Sequence, residues 1–144
     1  MNMNDDELRQ MLALMESYKN RTEMLSHQVT VLRSTLDEVN MANESIKALA
    51  AAKEGDEIMV PIGASSFMNV KVSSNKNIIV GIGSNVSIEK TPEDANRFME
   101  ANAAELTDAL KKTVDALQEV QQALSTVSEA VQAEYMNRRQ APMQ

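Results

Sequence analysis

Cysteine is absent from this chain of 144 residues, which excludes disulfides, thiolate metal ligands and cysteine nucleophiles. The absence is compatible with a reducing cytosol. The single histidine, His27, argues against a histidine metal site and leaves no Ser-His-Asp triad except one built on it. Aromatic residues are scarce: two Tyr, two Phe and no Trp. Compact cores take much of their bulk from aromatics, so the scarcity points to an extended helical body. Four Gly and three Pro leave room for few turns. No apolar run approaches the roughly 20 residues that span a bilayer, so no membrane partner is expected. The opening MNMNDDELRQ is acidic and lacks an apolar stretch, so no secretion signal is expected and the expected location is cytoplasmic. A net charge of -7 without a long Lys/Arg stripe argues against nucleic acid as a partner.

What is present falls into three blocks. Residues 5–53 and 92–139 are rich in Ala, Leu, Glu, Gln, Lys and Met, while residues 56–90 are rich in Val, Ile, Ser, Asn and Gly. Helix formers thus flank strand formers. In the first block a 3-4 spaced seam runs Leu8, Met11, Met15, Tyr18, Thr22, Leu25, Val29, Leu32, Leu36, Val39, Asn43, Ile46, Ala50. Only Thr22 and Asn43 carry short polar groups there, and so sustained a pattern predicts a coiled coil. Asn4 and Glu7 read as an N-cap with its capping-box partner, and Lys53 and Gly55 as a C-terminal stop. The last block repeats the device with Asn96, Met99, Ala103, Leu106, Leu110, Thr113, Leu117, Val120, Leu124, Val127 and Val131. Thr91 caps it, Pro92 stands at its first position and Asp94 at its third. Each helix would be roughly 65–70 Å long, and the matched lengths predict an antiparallel pair.

The middle block reads as two hairpins: Glu57–Ile62 with Ser66–Val72, and Ile78–Ile82 with Val86–Lys90. Alternation of Met68, Val70 and Val72 with Asn69 and Lys71 predicts a half-buried strand. The unbroken apolar run Ile78–Ile82 predicts a strand buried on both faces. Pro61 cannot donate to a ladder and should lie at an edge or a bulge. Four short strands cannot form a stable core alone, and their open edges require cover. The hairpins are therefore expected to pair with other chains.

Helix, double hairpin, helix resembles the prefoldin alpha-subunit family. Val60-Pro61-Ile62-Gly63 followed by Phe67 is similar to that family's first hairpin, and Val80-Gly81-Ile82-Gly83 with Val86 and Lys90 to its second. The resemblance spans about residues 5–139. Two hairpins point to the alpha class, and the short single domain over residues 1–144 to its archaeal form. Thr22 and Asn43 depart from an apolar seam, as marks of register or of flexibility. The resemblance implies an α+β chain whose hairpins join those of other subunits in a β-barrel. It implies a hexamer of two alpha and four beta subunits. Such a particle holds unfolded polypeptide clients at its coiled-coil tips and passes them to a group II chaperonin without ATP. The alternative is a structural scaffold or filament built on the same fold.

Assembly is assigned to Val60, Pro61, Ile62, Phe67, Val70, Val72, Ile78, Val80, Ile82, Val86 and Ile88. Client contact is assigned to Leu8, Met11, Leu12, Met15, Tyr135 and Met136. Six of the eleven methionines, Met1, Met3, Met11, Met15, Met136 and Met143, lie near the two ends of the chain, which meet in an antiparallel pair. Methionine is flexible and polarizable and suits a surface that accepts many partners. Leu12 and Leu14 lie off the seam and are expected to be exposed. No catalytic, metal or cofactor site is expected. Gly81-Ile82-Gly83 lacks a third glycine and a following helix. His27 reads as a solvated or half-packed helix residue. Asp5, Asp6 and Glu7 suit the positive end of a helix dipole. Arg138 and Arg139 read either as a bias toward acidic clients or, with slight preference, as a helix C-terminal charge pair.

Overall fold

The structure, a computed structural model, describes residues 2–141. The expectations on Met1 and Met143 lie outside the described residues. Six elements follow in order: α1 (Asp5–Ala51), β1 (Glu57–Gly63), β2 (Ser66–Lys71), β3 (Ile78–Gly83), β4 (Val86–Lys90) and α2 (Pro92–Gln140). The chain divides into two compact units, one holding residues up to 33 together with those from 108 onward, the other residues 34–107.

In the first unit, α1 and α2 run antiparallel. Leu8 packs with Val127 and Val131, while further along α1 Tyr18 and Arg21 lie beside Ala116, Glu119 and Val120. Leu8, Leu25, Val29, Val120, Val127 and Val131 are the buried members of the expected seam. Its other members here are half-buried, because a pair of helices covers one stripe of each and leaves the flanks wet. Thr22 fits the seam by turning its hydroxyl inward, donating to the Tyr18 carbonyl at 2.8 Å. Thr113 on α2 does the same to Ala109 at 2.8 Å. The capping box forms as expected: the Glu7 amide donates to Asn4 Oδ1 at 2.8 Å, and the Asn4 amide to Glu7 Oε2 at 2.9 Å.

The second unit holds the end of α1, the four strands and the start of α2. Ile46, Val80 and Ala95 form its buried cluster, with Ile78, Phe98 and Met99 half-buried against it. Lys90 Nζ lies 5.4 Å from the centre of the Phe98 ring. The strands form two separate two-stranded sheets, β1 with β2 and β3 with β4. They are built alike. Pro61 pairs with Phe67 and Gly63 with Ser66; twenty residues on, Gly81 pairs with Ser87 and Gly83 with Val86. Each ladder shifts register at its isoleucine, Ile62 or Ile82, so Pro61 sits beside a bulge as expected. The loops are two residues each, Ala64-Ser65 and Ser84-Asn85, all four with positive φ. That is the loop twist favoured in tight hairpins. Gly63 and Gly83, at φ 106° and 111°, make the bend that an L side chain resists.

Two expectations about strands are corrected. β3 is covered on one face only: Val80 is 2% exposed against the helices, whereas Ile79 on the opposite face is 72% exposed. Nothing within the described residues is available to cover that second face. Val72 follows the end of β2 at Lys71 and is buried; its amide donates to the Asp56 carbonyl at 2.9 Å, and its carbonyl accepts from Gly55 at 2.7 Å.

The end of α1 has a cap that no sequence signal announces. The last turn carries no basic residue. Asn75, in the connection between the hairpins, donates from Nδ2 to the carbonyls of Leu49, Ala50 and Ala52 at 3.2, 3.4 and 2.6 Å. Carbonyls at a helix end lack regular ladder partners; that of Leu49 also accepts from the Ala52 amide at 3.2 Å. Asn75→Ala is expected to cost about 1 kcal/mol and to quicken amide exchange at residues 49–53. Unchanged exchange there would show that water replaces the cap at no cost.

Candidate functional site

Two surfaces gather the residues singled out in the sequence. The first is the pair of hairpins. Val60, Pro61, Ile62, Phe67, Ile82, Val86 and Ile88 are exposed, as an assembly surface requires. Val70 and Ile78 are half-buried. Val72 and Val80 are buried within the chain. Val80 anchors its hairpin to Ile46 and Ala95 and offers nothing to a partner. Three exposed apolar residues were missed: Met59, Met68 and Ile79. Their signal was present in the apolar runs around β1 and β3, which place bulk on both faces. An open space of about 340 Å³ separates β1 from the end of α1, lined by Ser45, Ala48, Leu49, Ile58, Met59, Val60 and Pro61. Both sheets have only two strands, so their outer edges carry backbone groups without ladder partners among the described residues.

The second surface is the end of the first unit, where Met3 and Asp5 meet Glu134 and Arg138. Leu8 is 8% exposed, packed with Val127 and Val131. Met11, Leu12 and Met15 are half-buried against the same cluster. Leu12 is thus not free, because it lies four residues beyond Leu8 and shares its flank. Tyr135 and Met136 are 48% and 56% exposed, and Leu14 is exposed as expected. Tyr135, Met136, Gln132 and Arg139 line one cleft of about 570 Å³. Asn2, Met3, Glu7, Gln10, Met11 and Leu14 line another of about 510 Å³.

Between these residues lies an ionic clasp. Arg138 donates from Nε to Glu134 Oε1 at 2.8 Å, from Nη1 to Asp5 Oδ1 at 2.8 Å and from Nη2 to the Met3 carbonyl at 3.2 Å. The Met3 amide donates to Glu134 Oε2 at 3.2 Å. Arg138 stands in the last turn of α2 beside Arg139, as the charge-pair reading has it, but its donors are spent within the chain and tie that turn to the start of α1. The Arg138 guanidinium first, and the Met3 amide second, hold the Glu134 carboxyl below the usual carboxylate value against the opposing cost of burial. Glu134 in turn, then Asp5, push Arg138 further up. A depressed carboxylate contributes its stability above the unfolded value, about 4.3. That contribution is lost as pH falls through the folded value. Amide exchange over residues 3–12 is expected to stay flat from pH 7 to about 5 and to quicken below about 4, after correction for intrinsic rates. Glu134→Gln should remove the step; a step that persists would place its origin elsewhere.

The remaining candidates lie elsewhere in the fold. Gly81-Ile82-Gly83 ends strand β3 and turns into β4, with no helix N-terminus behind it. His27 is exposed on α1. No helix among the described residues is long and apolar enough to cross a membrane.

Comparison with known proteins gives one consistent result. The model of the prefoldin subunit family matches residues 6–137. The chain is 32% identical over 108 residues to prefoldin subunit alpha of Methanothrix thermoacetophila, covering 75% of this chain and 71% of that one. It is 29% identical over 133 residues to prefoldin subunit alpha of Pyrococcus horikoshii, covering 92% and 90%. In fold it is similar to the filamentous prefoldin of Methanocaldococcus jannaschii solved by cryo-electron microscopy, with a TM-score of 0.56 and 22% identity over 84% of this chain and 94% of that chain. The match over nearly the whole length, with helix, two hairpins and helix in order, means that the chain belongs to the prefoldin family of chaperone subunits, and its relatives are archaeal alpha subunits.

Proposed function

We propose that this chain is the alpha subunit of a cytoplasmic hetero-hexameric holdase, with beta subunits in a ratio of two to four. The observation that carries assembly is the pair of hairpins with open edges and apolar residues on both faces. Isolated two-stranded sheets are marginal in water. Partner strands would pair the edges and bury Met59, Ile62, Phe67 and Ile79. The chain acts as a single prefoldin domain in which the hairpins assemble and the terminal end of the helices receives clients. Exposed Leu14, Tyr135 and Met136, with half-buried Met11 and Met15, support that second role. They offer apolar area along two open clefts, which fits polypeptides of no fixed sequence. No catalysis is assigned. Nucleotide has no part in the proposal, since the one Gly-x-Gly run lies within a hairpin. Clients so held pass to a group II chaperonin.

The test is mass by light scattering, for this chain alone and mixed with a prefoldin beta subunit. The same samples are assayed for suppression of aggregation of a denatured protein without ATP. A discrete particle of about six chains, active only when mixed, is the expected result. A large polymer from this chain alone would favour the scaffold reading. The Methanocaldococcus jannaschii neighbour is a filamentous prefoldin, which makes that second arm a necessary one.

A further inference from the structure

The apolar seam of α2 ends in Val127 and Val131, and the same 3-4 spacing continues to residues 134 and 138. Those positions hold Glu134 and Arg138 in place of apolar knobs. Glu134 is nevertheless 2% exposed, so it occupies a seam site and is not a surface residue. The last layer of the helix pair is therefore ionic. It fastens the Met3–Asp5 segment to α2, directly outside the layer in which Leu8 meets Val127 and Val131.

We propose that the Glu134–Arg138 clasp is a reversible latch that governs how much apolar surface the terminal end of this chain presents. The inference rests on the client role proposed for that end. When the latch is fastened, Leu8, Val127 and Val131 are covered, and among the described residues of this end Leu14, Tyr135 and Met136 are the large apolar side chains that stand open. When it is released, the first turn of α1 loses its tie to α2. Leu8, Leu12 and Val131 then join the open surface. An apolar layer would close the end permanently. Water competes for an ionic layer, so that layer can open within the folded state. The exposed pair Arg9–Asp6 at the same end, at 3.7 Å and open to solvent on both sides, ties α1 only to itself and has no such effect.

The experiment uses the full chain assembled with beta subunits. Glu134→Gln and Arg138→Met release the latch, and Arg9→Gln is the charge control. Glu134→Leu with Arg138→Leu continues the apolar seam in place of the ionic layer, in which Glu134 is buried and Arg138 half open to solvent. Two readings are taken: amide exchange over residues 3–12, and the molar ratio at which aggregation of a denatured protein is suppressed. The releasing variants should exchange roughly tenfold faster and suppress at a lower ratio. The double leucine variant should exchange more slowly and suppress less well, and Arg9→Gln should match the parent. Unchanged exchange in both releasing variants would overturn the latch. Faster exchange without improved suppression would overturn its control of the client surface. A parent particle that suppresses nothing would overturn the client role itself, a failure visible without any variant.

Discussion

Replacing Ile62, Phe67 and Ile79 together by threonine is expected to leave a folded chain that no longer enters a multi-subunit particle. All three side chains are more than half exposed in the chain alone, so the substitutions remove little from its own fold. Threonine is β-branched, a shape that strands accept. What it removes is apolar area that only a partner can cover. Burying one such side chain stabilises by about 1.5–3 kcal/mol, so three together represent about 5–9 kcal/mol of association. At 1.4 kcal/mol per factor of ten, affinity should fall by at least three orders of magnitude. Light scattering with beta subunit should then give separate chains, while far-ultraviolet circular dichroism keeps the helix signal. A particle of wild-type mass would remove these faces from the assembly surface. Val80→Thr is the contrasting variant. It places a hydroxyl in the Ile46–Ala95 cluster and should lower the melting stability of the chain by about 1–3 kcal/mol, whether or not a partner is present.

The second large effect concerns clients. Leu14→Ser, Tyr135→Ser and Met136→Ser in one chain should abolish most of its contribution to aggregation suppression. The mass and melting of the assembled particle should remain those of the parent, because these residues belong to neither buried cluster. Serine at Leu8, Met11, Leu12 and Met15 is a different experiment. Leu8 is a core residue, and losing a buried leucine side chain costs about 2–5 kcal/mol. That set should fray the first turns of α1 and expose Val127 and Val131, so it confounds loss of client contact with gain of new apolar surface. Full suppression by the Leu14, Tyr135, Met136 variant in an intact particle would move client contact away from this end.

Most of the fold is legible in the sequence because its signals are local and periodic. The seam spacing, the Asn4–Glu7 box, Thr91 and Pro92, and the shift from Ala-Leu-Glu-rich to Val-Ile-rich composition place α1 and α2 within two residues of their observed ends and every strand within one. What escapes is nonlocal. Nothing near Asn75 announces that its amide reaches α1, 25 residues back. Alternation identifies Val72 and Val80 as apolar strand residues but does not say whether their own helices or a partner covers them. Glu134 and Arg138 continue the seam, yet their charge reads as the point where the seam stops. A charged pair at 3-4 spacing beyond the last apolar layer was the signal that could have revealed the clasp.

The twin construction of the hairpins sets the valency of the chain. Each two-stranded sheet ends in two outer edges, so one chain carries four sites for strand addition. A partner with a single hairpin carries two. These edges count as functionality does in polymer chemistry. A two-edged unit can only lengthen one sheet or close it into a ring, whereas a four-edged unit can also join one sheet to another. The same twenty-residue module used twice would then make this chain a bridge between sheets, which a single hairpin cannot be.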